Sequence, residues 1–468
     1  MPPRKRRSKA KPTVQTVVPH PIHFLPREII GQIFILTVDI DSATAAELHE
    51  KSRDRNGHLQ IFNPLVLCAV CQSWRFLAFA TPQLWQRVFI NIPLNLKEAQ
   101  AEKRAIDLVQ WIERSRSLPL SLHISWDPRS GGFRDAPIVS VLDDYAIRWE
   151  SIYFRDRHTA LQLRPPPMTP LTFHSFAFLR QICNFYYMPL KDHKLPWAQV
   201  THLKLHGYIH AQGAETIFTQ CTKLVQLSIS VDSSSLTFLG SIILHNLVSF
   251  SMKTPYGYLR YLLNHVSSPS LRDMFIDGVL PGDIQPLLSF FTRSSCTLDK
   301  LEICGRSLSS RDHLNVLAHR SCNSLTSLKI LDACDSMVSE QQRGLVDDEV
   351  LQRLTLHHDG SLCPHLQFLT IGCSIECSPS PLLKMVESRV GSHTDQLPDE
   401  PIQHVHLQRI KCRNDFLKLD EVGKGSGMEY THHVDQHDQY FYSFLLQKQG
   451  LQRERLLVNH GDFFFDQV

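Results

Sequence analysis

The sequence has no run of about 18 apolar residues, the length that crosses a bilayer as a helix. Its N-terminus is basic but lacks the apolar stretch of a secretory signal. Charge of one sign is missing too: 49 Lys and Arg against 46 Asp and Glu leave a net +3. That balance argues against a general nucleic-acid binder. No phosphate-cradling glycine loop, nucleophile elbow or paired zinc-ligand motif stands out. These absences predict a chain kept in the nucleus or cytoplasm, without membrane association, specific nucleic acid, cofactor, metal or catalysis of its own.

Cysteine and histidine are present, but not in binding patterns. In a reducing compartment the twelve cysteines are expected to be free thiols used as small apolar residues. Cys68 and Cys71 form a CxxC with no second pair at zinc spacing. Cys363, Cys373 and Cys377 with His365 are the next metal candidates, and they fall on a repeat pattern that explains them better. His357-His358, His404-x-His406 and His432-His433 read as solvated or core-edge histidines. Asp347-Asp348-Glu349 opens a helical segment and is explained by capping and dipole complementation.

What is present begins at residue 24. Phe24-Leu25-Pro26-Arg27-Glu28-Ile29-Ile30 leads into Gln32-Ile33-Phe34; Pro64-Leu65-Val66-Leu67 follows, then Val70-Cys71-Gln72-Ser73-Trp74-Arg75, and Thr81-Pro82-Gln83-Leu84-Trp85 closes the segment. Pro26 suits the first turn of a helix, where its missing N–H has no partner to lose. Glu28 complements the positive end of the dipole. Ile29, Ile30, Ile33, Phe34 and Thr37 form a helical stripe. Val70, Trp74, Leu77 and Ala78 form another, which Thr81-Pro82 ends. A module of about 65 residues buries little surface by itself, so this much apolar side chain predicts a partner face as well as a core.

This segment resembles an F-box, the helical module that docks a receptor onto the Skp-family adaptor of a Skp–cullin–F-box ubiquitin ligase. The polar stretch near 39–60 departs from the pattern, being longer than the usual connection between the first two helices. The resemblance implies adaptor contact by Leu25, Pro26, Ile29, Ile33, Leu67, Val70, Cys71, Trp74 and Trp85, some of which must be core instead.

From about residue 118 strand signals take over, in Leu120–Ile124 and Trp149–Phe154. A unit of the form L-x-x-L-x-L then recurs at Leu224/Leu227/Ile229, Leu247/Phe250/Met252, Leu271/Met274/Ile276, Leu298/Leu301/Ile303, Leu325/Leu328/Ile330 and Leu366/Leu369/Ile371, with a partial copy at Val200/Leu203/Leu205. Most copies lie in the twenties of residues apart, the signature of a solenoid. Helical returns are expected at 213–221, 258–266, 284–291, 313–320 and 347–356. The pattern resembles the irregular leucine-rich repeats often found behind an F-box. Beyond residue 375 it fades: 388–401 reads as a loop, Val405 and Leu407 as a final strand, 423–427 as a flexible link, and 441–457 as a helix with Phe444, Leu445 and Leu451. Phe463-Phe464-Phe465 is expected to be packed.

The expected fold class is therefore α+β: a basic disordered tail at 1–20, a small all-helical F-box at 21–92, a linking helix at 93–117, an α/β leucine-rich-repeat-like solenoid at 118–413, and a cap or tail at 414–468. Arg4, Lys5, Arg6, Arg7 and Lys9 are a nuclear-import candidate. Strand-side positions of a repeat solenoid usually carry recognition. That points to Lys204, His206, Gln226, Ser228, Lys253, Glu302, Lys329 and Thr370 as substrate-binding candidates. The expected role is the substrate-recognition subunit of such a ligase, joined through the adaptor to a cullin and holding a protein target. Two alternatives stay open: an interaction scaffold not coupled to ubiquitination, with the head as its cap, and a nuclear DNA or chromatin binder. Against the last, the head carries mixed charge and no Lys/Arg stripe.

Overall fold

The structure, a computed structural model, describes residues 24–38, 64–92, 97–126, 137–156, 179–186, 196–209, 211–231, 240–254, 259–332, 345–356, 360–376, 379–390, 402–410, 428–434 and 442–448. Several expectations fall outside them: the basic tail with Arg4, Lys5, Arg6, Arg7 and Lys9, the polar stretch 39–60, His357-His358, Cys377, the glycine-rich link and the closing triple phenylalanine.

The chain divides into two compact units. The first comprises Met1–Gln86 with Ile112–Leu118. Its α1 (Arg27–Val38) follows Pro26, whose carbonyl accepts from the N–H groups of Ile29 and Ile30, each at 3.1 Å. Ile30 and Phe34 are the buried side of its stripe. Helices α2 (Pro64–Val70) and α3 (Gln72–Ala80) are separated by the extended residue Cys71, whose thiol caps α3 by accepting from the Trp74 N–H at 3.5 Å. The 3-10 turn Pro82–Trp85 ends this segment.

The second unit holds Arg87–Trp111 and Pro119–Val468. It starts with β1 (Arg87–Ile92), before the boundary expected after residue 92. The linking helix is α4 (Glu98–Arg114), with Ala101, Ala105, Leu108 and Ile112 buried at helical spacing. There follow β2 (Leu120–Trp126), α5 (Pro137–Asp144), β3 (Trp149–Asp156), β4 (Gln181–Tyr186), β5 (His202–Ile209), α6 (Ala211–Gln220), β6 (Gln226–Val231), β7 (Ile242–Ile243), β8 (Ser249–Lys253), α7 (Leu259–His265), β9 (Val266–Ser267), β10 (Asp273–Val279), α8 (Ile284–Ser294), β11 (Lys300–Gly305), α9 (Ser310–Leu317), β12 (Ser327–Asp332), β13 (Leu345–Asp347), α10 (Asp348–Leu354), β14 (Phe368–Gly372), β15 (Ser374–Glu376), α11 (Pro379–Val390), β16 (His404–Ile410), β17 (Met428–Val434) and β18 (Tyr442–Lys448). This is a mixed α/β fold with a large parallel sheet.

Strands β1 to β6, then β8, β10, β11, β12, β14 and β16, lie side by side in chain order and pair in parallel. Such connections need a crossover segment each time, and α6 to α11 supply several of them. One register row runs Val88, Leu122, Ile152, Ile182, Leu203, Leu227, Phe250, Met274, Leu301, Leu328, Leu369, Val405. Every member is buried. The second apolar position forms a parallel row from Ile229 through Met252, Ile276, Ile303, Ile330 and Ile371 to Leu407. The first leucine of each copy is buried in the turn before its strand.

The backbone repeats as regularly as the side chains. At each step two successive N–H groups share one carbonyl of the preceding unit: Val225 and Gln226 donate to Thr201, Val248 and Ser249 to Val225, Arg272 and Asp273 to Val248, Asp299 and Lys300 to Arg272, Thr326 and Ser327 to Asp299, Gln367 and Phe368 to Thr326, and Gln403 and His404 to Gln367, all within 2.7–3.1 Å. The buried turn thereby satisfies its polar groups without a dedicated side chain.

Local chemistry fixes the helix ends. Ser309 and Asp312 form a capping box at α9. Asp347 Oδ1 accepts from the N–H groups of Glu349 and Val350 at α10. Gly278 sits at φ +91°, and a Cβ there would lie 1.8 Å from the Thr254 carbonyl oxygen.

Two expectations beyond residue 375 are corrected. The segment read as a helix over 441–457 contains the strand β18, paired antiparallel with β16 and β17; β16 is accordingly not the final strand. The loop expected from residue 388 begins inside α11, whose Leu382, Met385, Val386 and Arg389 are buried.

Candidate functional site

In the first unit, the sequence stripe has two sides. Ile30, Phe34, Cys68, Leu77, Ala78 and Leu84 face inward. Trp85 belongs with them, 0% exposed, with its Nε1 donating to the Ala78 carbonyl at 2.8 Å. The Arg114 guanidinium lies over its ring at 4.6 Å from the centroid. Trp85 is therefore core, and its side chain is not available to a partner. Trp74 is half-buried against Phe34, with centroids 4.9 Å apart. Its Nε1 is buried with no hydrogen-bond partner among the described residues. Cys71 is half-buried and spent on the cap. Burial raises the pKa of the Cys68 thiol, with Arg114 and Arg75 acting weakly the other way.

Leu25, Pro26, Ile29 and Val70 are exposed, whereas Ile33 and Leu67 are half-buried. Exposed alongside them are Phe24, Leu36, Leu65, Val66, Phe76 and Phe79, with Phe24 and Leu36 at 73%. Sequence reasoning did not assign these six. Their signal was available, since Leu65, Val66, Phe76 and Phe79 fall off the faces that Cys68 and Leu77 bury. These side chains leave an unusual amount of apolar area in water for so small a unit.

In the second unit, the buried rows leave the alternate strand positions on the opposite face. Lys204, Ser228, Glu302, Lys329 and Thr370 belong to a single register row, which runs Phe89, His123, Tyr153, Cys183, Lys204, Ser228, Ser251, Phe275, Glu302, Lys329, Thr370, His406. Gln226 stands two residues before this row and Lys253 two beyond it. His206 is on β5, opposite Tyr186 in the ladder.

The row's chemistry changes along its length. At its start Phe89, His123 and Tyr153 stack, with centroids 4.6 and 4.5 Å apart, and Tyr153 donates to Gln181 Oε1 at 2.9 Å. Ser121 and Ser151 bond each other across β2 and β3. Farther on, lysines meet carboxylates on neighbouring strands: Lys253 with Asp277 at 3.4 Å, Lys300 with Asp273 at 3.8 Å, Lys329 with Glu302 at 3.1 Å.

The cysteines are mostly inward. Cys221, Cys296, Cys322 and Cys363 are buried at the turns that precede strands, and burial pushes the Cys221 and Cys363 thiols up to about 12. They are small apolar wedges there, poor nucleophiles at neutral pH. No described helix is long and apolar enough to cross a membrane. No protein-family model matches the chain, and no curated protein matches it.

Proposed function

We propose that this chain is the substrate-recognition subunit of a Skp–cullin–F-box ubiquitin ligase, with an F-box head that docks the adaptor and a leucine-rich-repeat solenoid that holds the target protein. The reading rests first on the resemblance of the head's motifs. The observation that carries it is the exposed apolar side of that head, with Leu25, Ile29 and Val70 in water. A free monomer gains nothing from leaving them there, whereas a partner's apolar surface would bury them at about 25 cal/mol per Å². The solenoid reading is supported by the parallel strand order and the repeated turn. Its open row provides polar and aromatic side chains, which suits holding a protein. On this reading the rate gain in ubiquitin transfer comes from proximity and orientation, and the transfer chemistry lies in other subunits.

The test is adaptor capture by the full chain. Leu25→Ala with Pro26→Ala is expected to weaken capture at least about tenfold, or 1.4 kcal/mol, with the melting transition of the sheet unit unchanged. Equal recovery of adaptor by the double variant and the parent overturns the F-box assignment and leaves an uncoupled scaffold.

A further inference from the structure

The open face of the sheet is not uniform, and one part of it is built for a particular class of ligand. On β6 and β8 the outward positions are Gln226, Ser228 and Ser230 opposite Ser249, Ser251 and Lys253. Four of these six are serines, and all four are only partly covered. Unlike Ser121 and Ser151, which bond each other, none of the four hydroxyls has a hydrogen-bond partner among the described residues. The floor they make is low because serine is short. His202 and Lys204 on β5 stand along one side, and Asp273, Phe275 and Asp277 on β10 along the other. From β5 to β10 is three strand spacings, about 14 Å, the width of one extended chain with its side chains.

The two sides of this trough differ in charge: Asp273 and Asp277 on the β10 side are paired with Lys300 and Lys253, whereas the β5 side carries no carboxylate. Strands β4, β5, β6 and β8 contain no Asp or Glu. Of the lysines on the open face of β5 to β12, Lys253, Lys300 and Lys329 each meet a carboxylate on the next strand. Lys204 does not. Its register neighbours are Cys183 and Ser228, it is exposed, and no described residue forms an ion pair with it. Among the described residues, then, a lysine without a counter-ion stands beside a floor of unengaged hydroxyls.

We propose that the trough over β6 and β8 seats an extended acidic peptide, with an anionic side chain at Lys204 and its neighbours on the serine hydroxyls. This deepens the substrate-receptor reading and rests on it. Charge-assisted bonds from Lys204 supply the preference for an anion. The hydroxyls, which donate or accept as required, hold the peptide backbone without fixing its sequence. A nucleic acid fits less well, because one unpaired lysine neutralises too few phosphates for the multi-contact binding that nucleic acids need.

Full-length protein is titrated, with fluorescence anisotropy as the readout, against labelled peptides of one length: Glu-rich, its phosphoserine counterpart, its Gln-substituted form and a Lys-rich form. An unlabelled single-stranded oligonucleotide serves as competitor. The Glu-rich or phosphoserine peptide is expected to bind at least about tenfold more tightly than the Gln form, and whichever of the two is tighter identifies the anion. Lys204→Gln, a surface change without folding risk, and Ser228→Tyr, which fills the floor, are each expected to reduce that preference or binding about tenfold. Lys384→Gln, an exposed change on α11 away from the strands, is expected to leave both within about twofold. Equal binding of the Glu and Gln forms, indifference to Lys204→Gln, or stronger binding of the oligonucleotide than of any peptide overturns the proposal. Adaptor capture by the same protein is measured in parallel, so failure of the ligase reading shows there and failure of the trough shows only here.

Discussion

Arg389 Nε lies 2.7 Å from the carbonyl oxygen of Leu354, inside the core of the sheet unit. Its Nη1 and Nη2 donate to the carbonyls of Cys363 and Leu362 at 3.1 and 2.9 Å. Residue 363 has φ +51°, a turn that aims these carbonyls inward. The guanidinium is 1% exposed and burial pulls its pKa down to about 10, so it remains charged at neutral pH. Three backbone acceptors at the end of α10 and in the following turn thus bond one side chain from α11; the Cys363 carbonyl also accepts from the Leu366 N–H at 3.3 Å, so loss of Arg389 orphans the carbonyls of Leu354 and Leu362.

Arg389→Ala is therefore expected to cost about 3 kcal/mol or more, since each orphaned buried acceptor costs on the order of 1–3 kcal/mol. Arg389→Lys should recover only part of that, because an ammonium cannot span the three positions as a planar fork does. Urea denaturation midpoints of the two variants check this. A midpoint for the alanine variant equal to the parent's counts against a structural role for Arg389.

The row of strand leucines gives the second expectation. Leu227→Ala and Leu328→Ala each remove a fully buried side chain and should cost roughly 2–5 kcal/mol. Soluble yield and melting temperature report it. Unchanged melting in both would contradict the register in which Leu227 pairs with Phe250 and Leu328 with Leu301.

These leucines also show how much could be read without coordinates. The L-x-x-L-x-L copies specify strand, face and turn together, because a period-two strand leaves only one register that buries both later positions. Leu301/Ile303 and Leu328/Ile330 needed no structure to be placed. The earlier strands were harder: among its described side chains β4 offers only Leu179 and Ile182 as a buried copy, and β1 follows the head so directly in sequence that its alternation was absorbed into the helical segment. α11 was legible in principle, since Leu382, Met385, Val386 and Arg389 keep helical spacing, but a buried arginine disguises the stripe. β18 was not legible. Phe444, Leu445 and Leu446 run consecutively, and its strand form depends on pairing with β16 and β17. In the head the stripe Val70, Trp74, Leu77 and Ala78, read as one helix, is corrected: the chain breaks at the extended Cys71 and leaves Val70 exposed at the end of α2, and only packing separates the buried Trp85 from the exposed Ile29.

That separation makes a third prediction. Trp85→Ala should destabilise the head by roughly 3–5 kcal/mol, as for other buried aromatics, and lose adaptor capture through unfolding. Ile29→Ala and Val66→Ala should leave its stability within about 0.5 kcal/mol while weakening capture. Circular dichroism melts beside pull-downs distinguish the two outcomes. Loss of folding in the Ile29 variant would place that residue in the core.

His313 predicts an acid sensitivity. It is buried on α9, its Nε2 lacks a partner among the described residues, and burial lowers its pKa from 6.5 to about 4, against a smaller upward pull from Asp312 and Asp347. A base whose folded pKa lies below its unfolded value takes up its proton more readily when unfolded. Its contribution to stability is present above pH 6.5 and is lost as pH falls toward 4. The full loss is about 3 kcal/mol. His313→Gln removes this titration, so its stability should fall less than the parent's between neutral pH and the acid end of that window. Parallel curves for the two proteins would show that His313 does not titrate in the core.

The last prediction joins the two units on the proposed reading. If the head recruits the ligase and the sheet face holds the target, full-length protein carrying Leu25→Ala and Pro26→Ala should bind target as well as the parent does yet fail to support its ubiquitination. Transfer needs donor and target held in one assembly, and the variant supplies only the second half of that proximity. In cells it should shield the target from other receptors, and target half-life should lengthen relative to cells without either protein. Lys204→Gln predicts a different failure: adaptor is retained and the half-life moves toward the value without receptor, because less target is delivered. A head variant that shortens target half-life as effectively as the parent would separate target turnover from adaptor docking and favour the uncoupled scaffold.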